Sequence, residues 1–151
     1  MNPSLYNQAT IDLLVERINK LSPSSAPVWG KMNAAQMLAH CALTFEYNNG
    51  DKPNKAPFIL RVFFKGMMRK ALLGSQPYPK NTPTAANFKV ADQRVFDIEK
   101  ARLIKLLKRW QENGPSATEK LSHSILGSLT PEEWSFMMYK HTDHHLVQFG
   151  V

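Results

Sequence analysis

The chain has 151 residues, of which 43% are hydrophobic, and a formal net charge of +7. This length and composition suit one buried core, so we expect a single domain over residues 1–151. The sequence has no uninterrupted run of about 20 apolar residues, which argues against a membrane-spanning helix, and its one cysteine, Cys41, excludes an internal disulfide. Because no basic-then-apolar segment opens the sequence, we expect a soluble cytoplasmic protein.

The positive charge is dispersed along the chain rather than gathered in a tail of consecutive Lys and Arg residues. Such a charge permits attraction to anionic substrates, nucleic acid or membrane surfaces. No zinc-finger or RNA-binding aromatic signature accompanies it. We therefore expect no nucleic-acid partner, and solubility is the simplest interpretation of the charge.

Two amphipathic helices are predicted in the first third of the chain. The first covers roughly residues 9 to 21 and ends at the Ser- and Pro-rich stretch 22–27. The second begins at Asn33 with a capping-box pattern and ends near residues 48–50. Cys41 lies near the centre of its apolar stripe and His40 at the edge. We interpret Cys41 as a small buried hydrophobe, with a metal ligand or a reactive thiol as the alternatives.

A third helix is predicted from Phe58 to Leu73, after a polar loop at 51–57. Arg61, Lys65 and Arg69 recur at every fourth position, and apolar side chains cover most of the remaining surface. Such a wide apolar face predicts core, a subunit contact or an interfacial membrane helix. Core with a solvated basic stripe is the simplest of the three.

Residues 74–91 carry three prolines and no helical period, which predicts a long loop. In a small domain a loop of this length is usually a crossover connection or a functional flap. A fourth helix is predicted from Phe96 to Glu112, with a stop at Gly114 and Pro115. We find no internal repeat and predict no strand.

The last helix has the strongest start signal in the chain. Thr130 can cap it, Pro131 suits its first position, and Glu133 completes a capping box. His141 and His145 lie one turn apart on its apolar stripe, so their rings share one patch. The stripe is formed by Trp134, Met137, Met138, His141, His145, Gln148 and Phe149, and the opposite side by Lys140, Asp143 and Val147.

A pair of imidazoles on an apolar stripe is costly to bury without a purpose. The spacing of His141 and His145 is that of helical pairs that hold a divalent metal, and a third ligand from another helix would leave a position for water or substrate. The alternative is two ordinary histidines, hydrogen-bonded to neighbours inside a helical bundle. Four long amphipathic helices and one further apolar helix favour an all-α bundle, in which facing helices can bring such ligands together.

Four segments of the sequence form a recognisable set: 29–41 (WGKMNAAQMLAHC), 81–84 (NTPT), 126–134 (LGSLTPEEW) and 140–150 (KHTDHHLVQFG). The last contains a His-x-x-His-His-x-x-Gln pattern formed by His141, His144, His145 and Gln148. Together they resemble a bacterial branch of the DinB-like, YfiT-like superfamily of metalloenzymes, and the ending is the most specific part of the resemblance.

The resemblance implies a four-helix bundle with up-down-down-up connectivity, here with one additional helix and a long crossover loop, and often a homodimer. It also implies a divalent metal, zinc or nickel, bound by His40, His141 and His145. Some relatives are metal-dependent transferases that attach low-molecular-weight thiols to electrophiles, and others are isomerases or hydrolases.

Further residues are candidates for the surroundings of the metal. His144 and Gln148 could orient the ligands, whereas Asp143 faces away on the helical wheel and is interpreted as a surface residue. His123 could reach the mouth of the site from the loop before the last helix, or be an exposed loop histidine. A pocket lining is predicted from Trp29, Thr44, Trp134 and Met138, although such a stripe is more often plain core.

The leading hypothesis is therefore a metal-dependent enzyme, a transferase that joins a low-molecular-weight thiol to a small electrophile, with a hydrolase as a further possibility. The alternative is a non-catalytic metal-binding or interaction bundle that contacts a partner or a membrane surface.

Overall fold

Helices dominate the part of the chain that the computed structural model describes, residues 3–53 and 56–151. The predicted all-α class is confirmed. Residues 54 and 55 of the predicted loop lie outside the description, and so do the side chains of Phe58 and Leu60. The described α helices are α1 (Gln8–Asn19), α2 (Ala34–Asn48), α3 (Phe58–Leu73), α4 (Phe96–Asn113) and α5 (Pro131–Gln148).

Side-chain caps fix the starts of three helices. Asn33 and Gln36 form the predicted capping box of α2, and Thr130 and Glu133 form that of α5. The Asn7 side chain accepts a hydrogen bond from the amide of Ala9 at the start of α1. Each cap satisfies amides that the first turn leaves free, so the local sequence alone sets where these helices begin.

The core lies between α1, α2, α4 and α5. Helix α2 packs chiefly against α4 and also against α5, and α1 lies against both α4 and α5. Trp110 of α4 contacts Phe45 of α2 edge-on, with ring centroids 5.6 Å apart, and Trp134 of α5 at 6.4 Å. Cys41 is fully buried beside Met37, and burial raises the pKa of its thiol. Its surroundings are those of a small hydrophobe rather than of a reactive thiol.

Helix α3 packs on α5, and the simplest of the three interpretations, that its apolar face is core, holds for only part of that face. Met68, Leu72 and Leu73 pack, partly buried, against the core. Ile59, Phe63 and Met67 face the solvent instead. The sequence showed a wide apolar face but not how little of the rest of the chain would cover it.

The prediction that Lys140 lies on the outer side of α5 was also wrong. Its side chain is buried, and its ammonium group donates hydrogen bonds to the carbonyls of Ala71, at 2.7 Å, and of Gly74, at 2.8 Å. These carbonyls lie at the C-terminal end of α3, where a helix has unpaired acceptors and a partial negative charge. Lys140 therefore fastens the end of α3 to α5.

Short elements between the helices were missed by the sequence analysis. Strands β1 (Ser122–His123) and β2 (Gly127–Ser128) form an antiparallel hairpin, and two residues are too few to show an alternating pattern. The long loop 74–91 contains one 3₁₀ turn, Ala86–Phe88. No helix among the residues described is long and apolar enough to cross a membrane.

Replacement of Lys140 by Met should loosen the end of α3. The variant keeps the aliphatic stem but leaves two carbonyls without their donor, so we expect a loss of about 1–3 kcal/mol in the free energy of unfolding. Amide hydrogen exchange within residues 70–74 should accelerate at least tenfold. Lys108→Met is the matched control, because Lys108 is exposed on α4. Unchanged exchange at 70–74 in the Lys140 variant would contradict the fastening role.

Candidate metal centre

Three histidine rings converge between α2 and α5. His40 comes from the middle of α2, and His141 and His145 from successive turns of α5. One ring nitrogen from each residue lies within 4.8 Å of the other two. The Nε2 atoms of His40 and His141 are 3.1 Å apart. The structure thus brings together the three side chains that the sequence and the resemblance indicated as metal ligands.

Hydrogen bonds determine which ring nitrogen of His40 and which ring nitrogen of His145 faces the cluster. His40 Nδ1 donates to the carbonyl oxygen of Phe88 at 2.8 Å, since a carbonyl can only accept. His145 Nδ1 donates to Gln148 Oε1 at 2.8 Å. In a neutral imidazole the other nitrogen then carries a free lone pair. His40 and His145 therefore present unprotonated Nε2 atoms to the cluster, the arrangement in which histidines bind metals.

Gln148 is itself held by the loop before α2. Its Nε2 donates to the carbonyl oxygen of Trp29 at 2.7 Å, which fixes the amide so that Oε1 faces His145. Gly30 allows this approach. Its φ is +91°, and a Cβ at this position would lie 2.5 Å from Gln148 Nε2. A side chain at position 30 would therefore be strained and would displace the amide that orients His145.

His141 has a nitrogen without a partner. Its Nδ1 is buried and has no hydrogen bond among the described residues. Its Nε2 faces the lone pair of His40, so a proton there would leave Nδ1 as a bare buried acceptor. A buried polar atom left unpaired costs about 1–3 kcal/mol. Hydrogen bonds from the described residues therefore leave the cluster incompletely satisfied, and this observation fits a site built to hold a cation.

Burial keeps the three rings neutral. Desolvation lowers the pKa of His145 to about 3, and it lowers the pKa of His40 against the opposing effect of the Phe88 carbonyl. It also places the pKa of His141 well below the usual range, with further lowering from the neighbouring His145, His40 and His144. Neutral imidazole is the form that coordinates a metal, so few protons compete for the site at neutral pH.

Aromatic and basic side chains surround His144, beside the cluster. The His144 ring lies 5.2 Å from that of His145, 5.8 Å from Trp29 and 5.5 Å from Tyr78. The Lys140 ammonium lies 4.3 Å from the centre of the Tyr78 ring. The hydroxyl of Tyr78 is buried with no hydrogen-bond partner among the described residues. His144, Gln148 and Trp29 thus lie where the sequence analysis expected the surroundings of a site.

The sequence analysis missed Tyr78 and Phe88, which both come from the loop 74–91. The carbonyl that orients His40 carries no side-chain signature, and Tyr78 stands in a segment without a period. The available signal was the length of the loop, which had indicated a crossover connection or a functional flap. Of its residues, the structure places these two beside the histidines.

Three predicted pocket residues have structural contacts instead. Trp134 is fully buried against Trp110. The Thr44 hydroxyl donates to the carbonyl of His40 within its own helix at 3.1 Å. The Met138 sulfur accepts from Asn48 at 3.4 Å. These contacts fit the alternative interpretation of the stripe as plain core.

Two other polar residues turn away from the three rings. His123 Nδ1 accepts hydrogen bonds from the amides of Ile125, at 3.2 Å, and Leu126, at 3.1 Å, and its ring lies 5.9 Å from that of Trp134. The expected reach of His123 to the mouth of the site is replaced by a role in the hairpin. Asp143 pairs with Arg17 at 2.6 Å, in keeping with its interpretation as a residue of the outer side.

The comparisons with known proteins give a family but no activity. The model of a family described as "Protein of unknown function (DUF1569)" matches residues 5–150. The chain therefore belongs to this family. No curated protein and no solved structure matched the chain. The function has to be inferred from the chemistry of the site itself.

Acid should destabilise the protein in part through His123. Burial lowers the pKa of His123 from 6.5 to about 4, so the unfolded chain binds the proton more readily between these values. The free energy of unfolding should therefore fall as the pH drops from about 6.5 to 4, by roughly 1–3 kcal/mol after allowance for partial exposure.

His123→Asn is the matched variant, because an Asn side-chain oxygen can accept from the same two amides and does not titrate. Urea unfolding at pH 7 and at pH 4.5 should show a smaller loss of stability in the variant than in the parent protein. The other histidines act equally in both proteins, so the difference reports His123. Equal losses would show that His123 is not held as a neutral acceptor.

Proposed function

We propose that this protein is a metal-dependent enzyme in which His40, His141 and His145 hold one divalent ion, zinc or nickel. The observation that carries the proposal is the convergence, within 4.8 Å, of one ring nitrogen each from the buried His40 and His145 and the partly buried His141. Nitrogen ligands at 2.0–2.1 Å from a tetrahedral zinc are about 3.3 Å apart. The 3.1 Å between His40 Nε2 and His141 Nε2 is close to that spacing. Imidazole ligands suit both zinc and nickel.

The proposal includes the four-helix bundle of the DinB-like, YfiT-like superfamily. Helices α1, α2, α4 and α5 would form it in up-down-down-up order, with α3 as the additional helix. The shared core and the packing of α2 on α4, and of α1 on both α4 and α5, support this arrangement.

Three protein ligands leave an exchangeable position, which is typical of catalytic rather than structural centres. When bound, a divalent ion with three neutral imidazole ligands keeps its charge and lowers the pKa of a coordinated water or thiol, so that a nucleophile is available at neutral pH. The chain supplies the orientation: Phe88 fixes the ring of His40, and Gln148 fixes that of His145. Trp29 and Tyr78 contact the ring of His144, which lies beside the ring of His145.

The reaction that we infer is transfer of a low-molecular-weight thiol to a small electrophile. The sulfur–carbon bond forms as the bond from carbon to the leaving group breaks, and the thiol proton passes to solvent. The support is the likeness of the ending His-x-x-His-His-x-x-Gln to the superfamily pattern, together with the neutral ligand set, which preserves the Lewis acidity of the ion.

Metal content should depend on the three histidines. The protein reconstituted with zinc or with nickel and then desalted should retain about one equivalent, measured by element-resolved mass spectrometry. His141→Ala should lose most of it while far-ultraviolet circular dichroism shows unchanged helix content, because the helices bury their own apolar faces. Gln148→Leu keeps the ligands but frees His145 to rotate, so metal affinity should drop about 10- to 100-fold.

His144→Ala is the control for the ligand variant. It removes an imidazole one residue from His145 that is not one of the three convergent rings. We expect it to retain the metal. Full stoichiometry in His141→Ala, or equal loss in His144→Ala, would overturn the ligand assignment.

Thiol transfer should require the loaded centre. With a model thiol and an aryl chloride, the zinc- or nickel-loaded protein should release chloride faster than the metal-free protein. The pH dependence of the rate should report an apparent thiol pKa below about 8.5, the usual value for a cysteine thiol. His141→Ala should show no acceleration. If the metal binds but neither thiol nor water is activated, the protein is a non-catalytic metal-binding bundle instead.

A further inference from the structure

The loop 74–91 contacts the surroundings of the three histidines near both of its ends. Close to its beginning, the Tyr78 ring lies 5.5 Å from the His144 ring. Close to its end, the carbonyl oxygen of Phe88 accepts the hydrogen bond from His40 Nδ1 at 2.8 Å. His40 belongs to α2 and His144 to α5. The loop therefore bridges the two helices that carry the candidate metal ligands.

Little of this loop is buried. From residue 74 to residue 89 every residue is either exposed or only partly buried, and Val90 is the first that is buried. The ligands beside the loop differ, since His40 and His145 are 5% and 8% exposed. A segment with few buried apolar contacts opens at a lower free-energy cost than the core next to it. The loop can therefore leave the histidines without unfolding the helices.

A single hydrogen bond joins the exposed part of the loop to the rest of the described chain. Other hydrogen bonds of residues 75–89 are local, such as that from the Thr82 hydroxyl to the carbonyl of Pro79. The bond from His40 Nδ1 to the Phe88 carbonyl is the one that leaves the segment. The side chain that holds the loop is thus also a candidate metal ligand.

Ring contacts add to this hold, but they leave one polar atom unsatisfied. The Phe88 ring lies 5.0 Å from the Tyr47 ring, and the Lys80 ammonium lies 4.5 Å from the centre of the Trp29 ring. The Tyr78 hydroxyl is buried with no partner among the described residues. Water would satisfy this hydroxyl in an open loop, so its burial disfavours the closed arrangement. The open arrangement is brought closer in free energy.

A cation on His40 would tighten the loop. A divalent ion on Nε2 withdraws electron density from an imidazole, so the Nδ1–H group becomes a stronger hydrogen-bond donor. In His40 that group is the donor to the Phe88 carbonyl. By thermodynamic linkage, an ion that favours the closed loop is itself bound more tightly when the loop is closed.

We propose that the loop 74–91 is a strap that metal binding closes through His40 and Phe88, and that the closed strap slows release of the ion. The inference rests on the proposed metal-binding function and adds a control of how the centre retains its ion. One bond between a ligand and a backbone carbonyl couples the two events. The strap is otherwise exposed, so its position can respond to that bond.

Trypsin reads the position of the strap. Lys80 must leave the Trp29 ring to enter the protease, so cleavage after Lys80 reports opening. Zinc-loaded protein should be cut there about tenfold more slowly than protein prepared without metal. The factor follows because partners of metal-bound histidines change metal affinity about 10- to 100-fold, and linkage gives the strap a share of it. Lys120, exposed just before β1, is the internal control and should be cut at an unchanged rate.

Two variants loosen the strap without touching a ligand. Phe88→Ala removes the ring that packs on Tyr47, and Tyr78→Ala removes the contact with His144. Neither residue belongs to the core, so circular dichroism should show unchanged helix content. With zinc bound, both should be cut faster after Lys80 and should lose zinc to a chelator about tenfold faster. Phe64→Ala is the matched control, because it removes a phenylalanine that is 43% exposed on α3.

The outcomes separate the strap from the metal centre. If zinc binds with full stoichiometry and cleavage after Lys80 is unchanged, the strap inference fails and the metal-binding proposal stands. If cleavage after Lys80 and after Lys120 slows equally, the ion stabilises the whole fold and the inference also fails. Zinc loss that is equally fast in Phe64→Ala and in the two strap variants would overturn it as well. If neither zinc nor nickel binds, the proposed function fails and the strap inference fails with it.

Discussion

The close approach of three neutral imidazoles is the constraint on which the rest of this structure depends. Buried polar rings are tolerated when their hydrogen-bonding groups are satisfied. The chain does this from outside the cluster, through the Phe88 carbonyl for His40 and Gln148 for His145. Gln148 needs the Trp29 carbonyl, and that approach needs a residue without Cβ at Gly30. The loop before α2 and the loop 74–91 therefore supply the carbonyls on which the orientation of His40 and His145 depends.

Helix α5 connects this cluster to the exposed helix. His141 and Lys140 are adjacent in the sequence, but successive side chains of a helix point about 100° apart. His141 therefore contacts His40 of α2, and Lys140 contacts the end of α3. Helix α5 is consequently buried on more than one side, and its polar residues serve as contacts rather than as a solvated face. The apolar stripe alone therefore assigned the wrong environment to Lys140, whose long stem lets a charge reach unpaired carbonyls across a helix interface.

The features that could be predicted from the sequence are those set by local interactions, such as helix caps and the spacing of side chains along a helix. Capping boxes marked the starts of α2 and α5, and helical spacing placed His141 and His145 side by side. The resemblance added His40, which periodicity had put only at the edge of a stripe. Tyr78 and Phe88 could not be found this way, because a loop residue meets the cluster through tertiary packing. The exposure of α3 remained one of several alternatives for a related reason: a pattern shows which side chains are apolar, and not whether enough of the chain remains to cover them.

Three convergent imidazoles satisfy one another poorly inside a core. With the Nδ1 protons of His40 and His145 committed outward, two Nε2 lone pairs face one region, and a single proton on His141 Nε2 can satisfy one of them. Nδ1 of His141 then remains a bare buried acceptor. A partly satisfied polar network is worth less to stability than apolar side chains of similar volume. A stable fold does not require this arrangement, whereas a cation that accepts the inward lone pairs would satisfy the nitrogens that the protein leaves unpaired. The unpaired nitrogens of the three rings thus favour a ligand-binding role over the alternative of ordinary buried histidines.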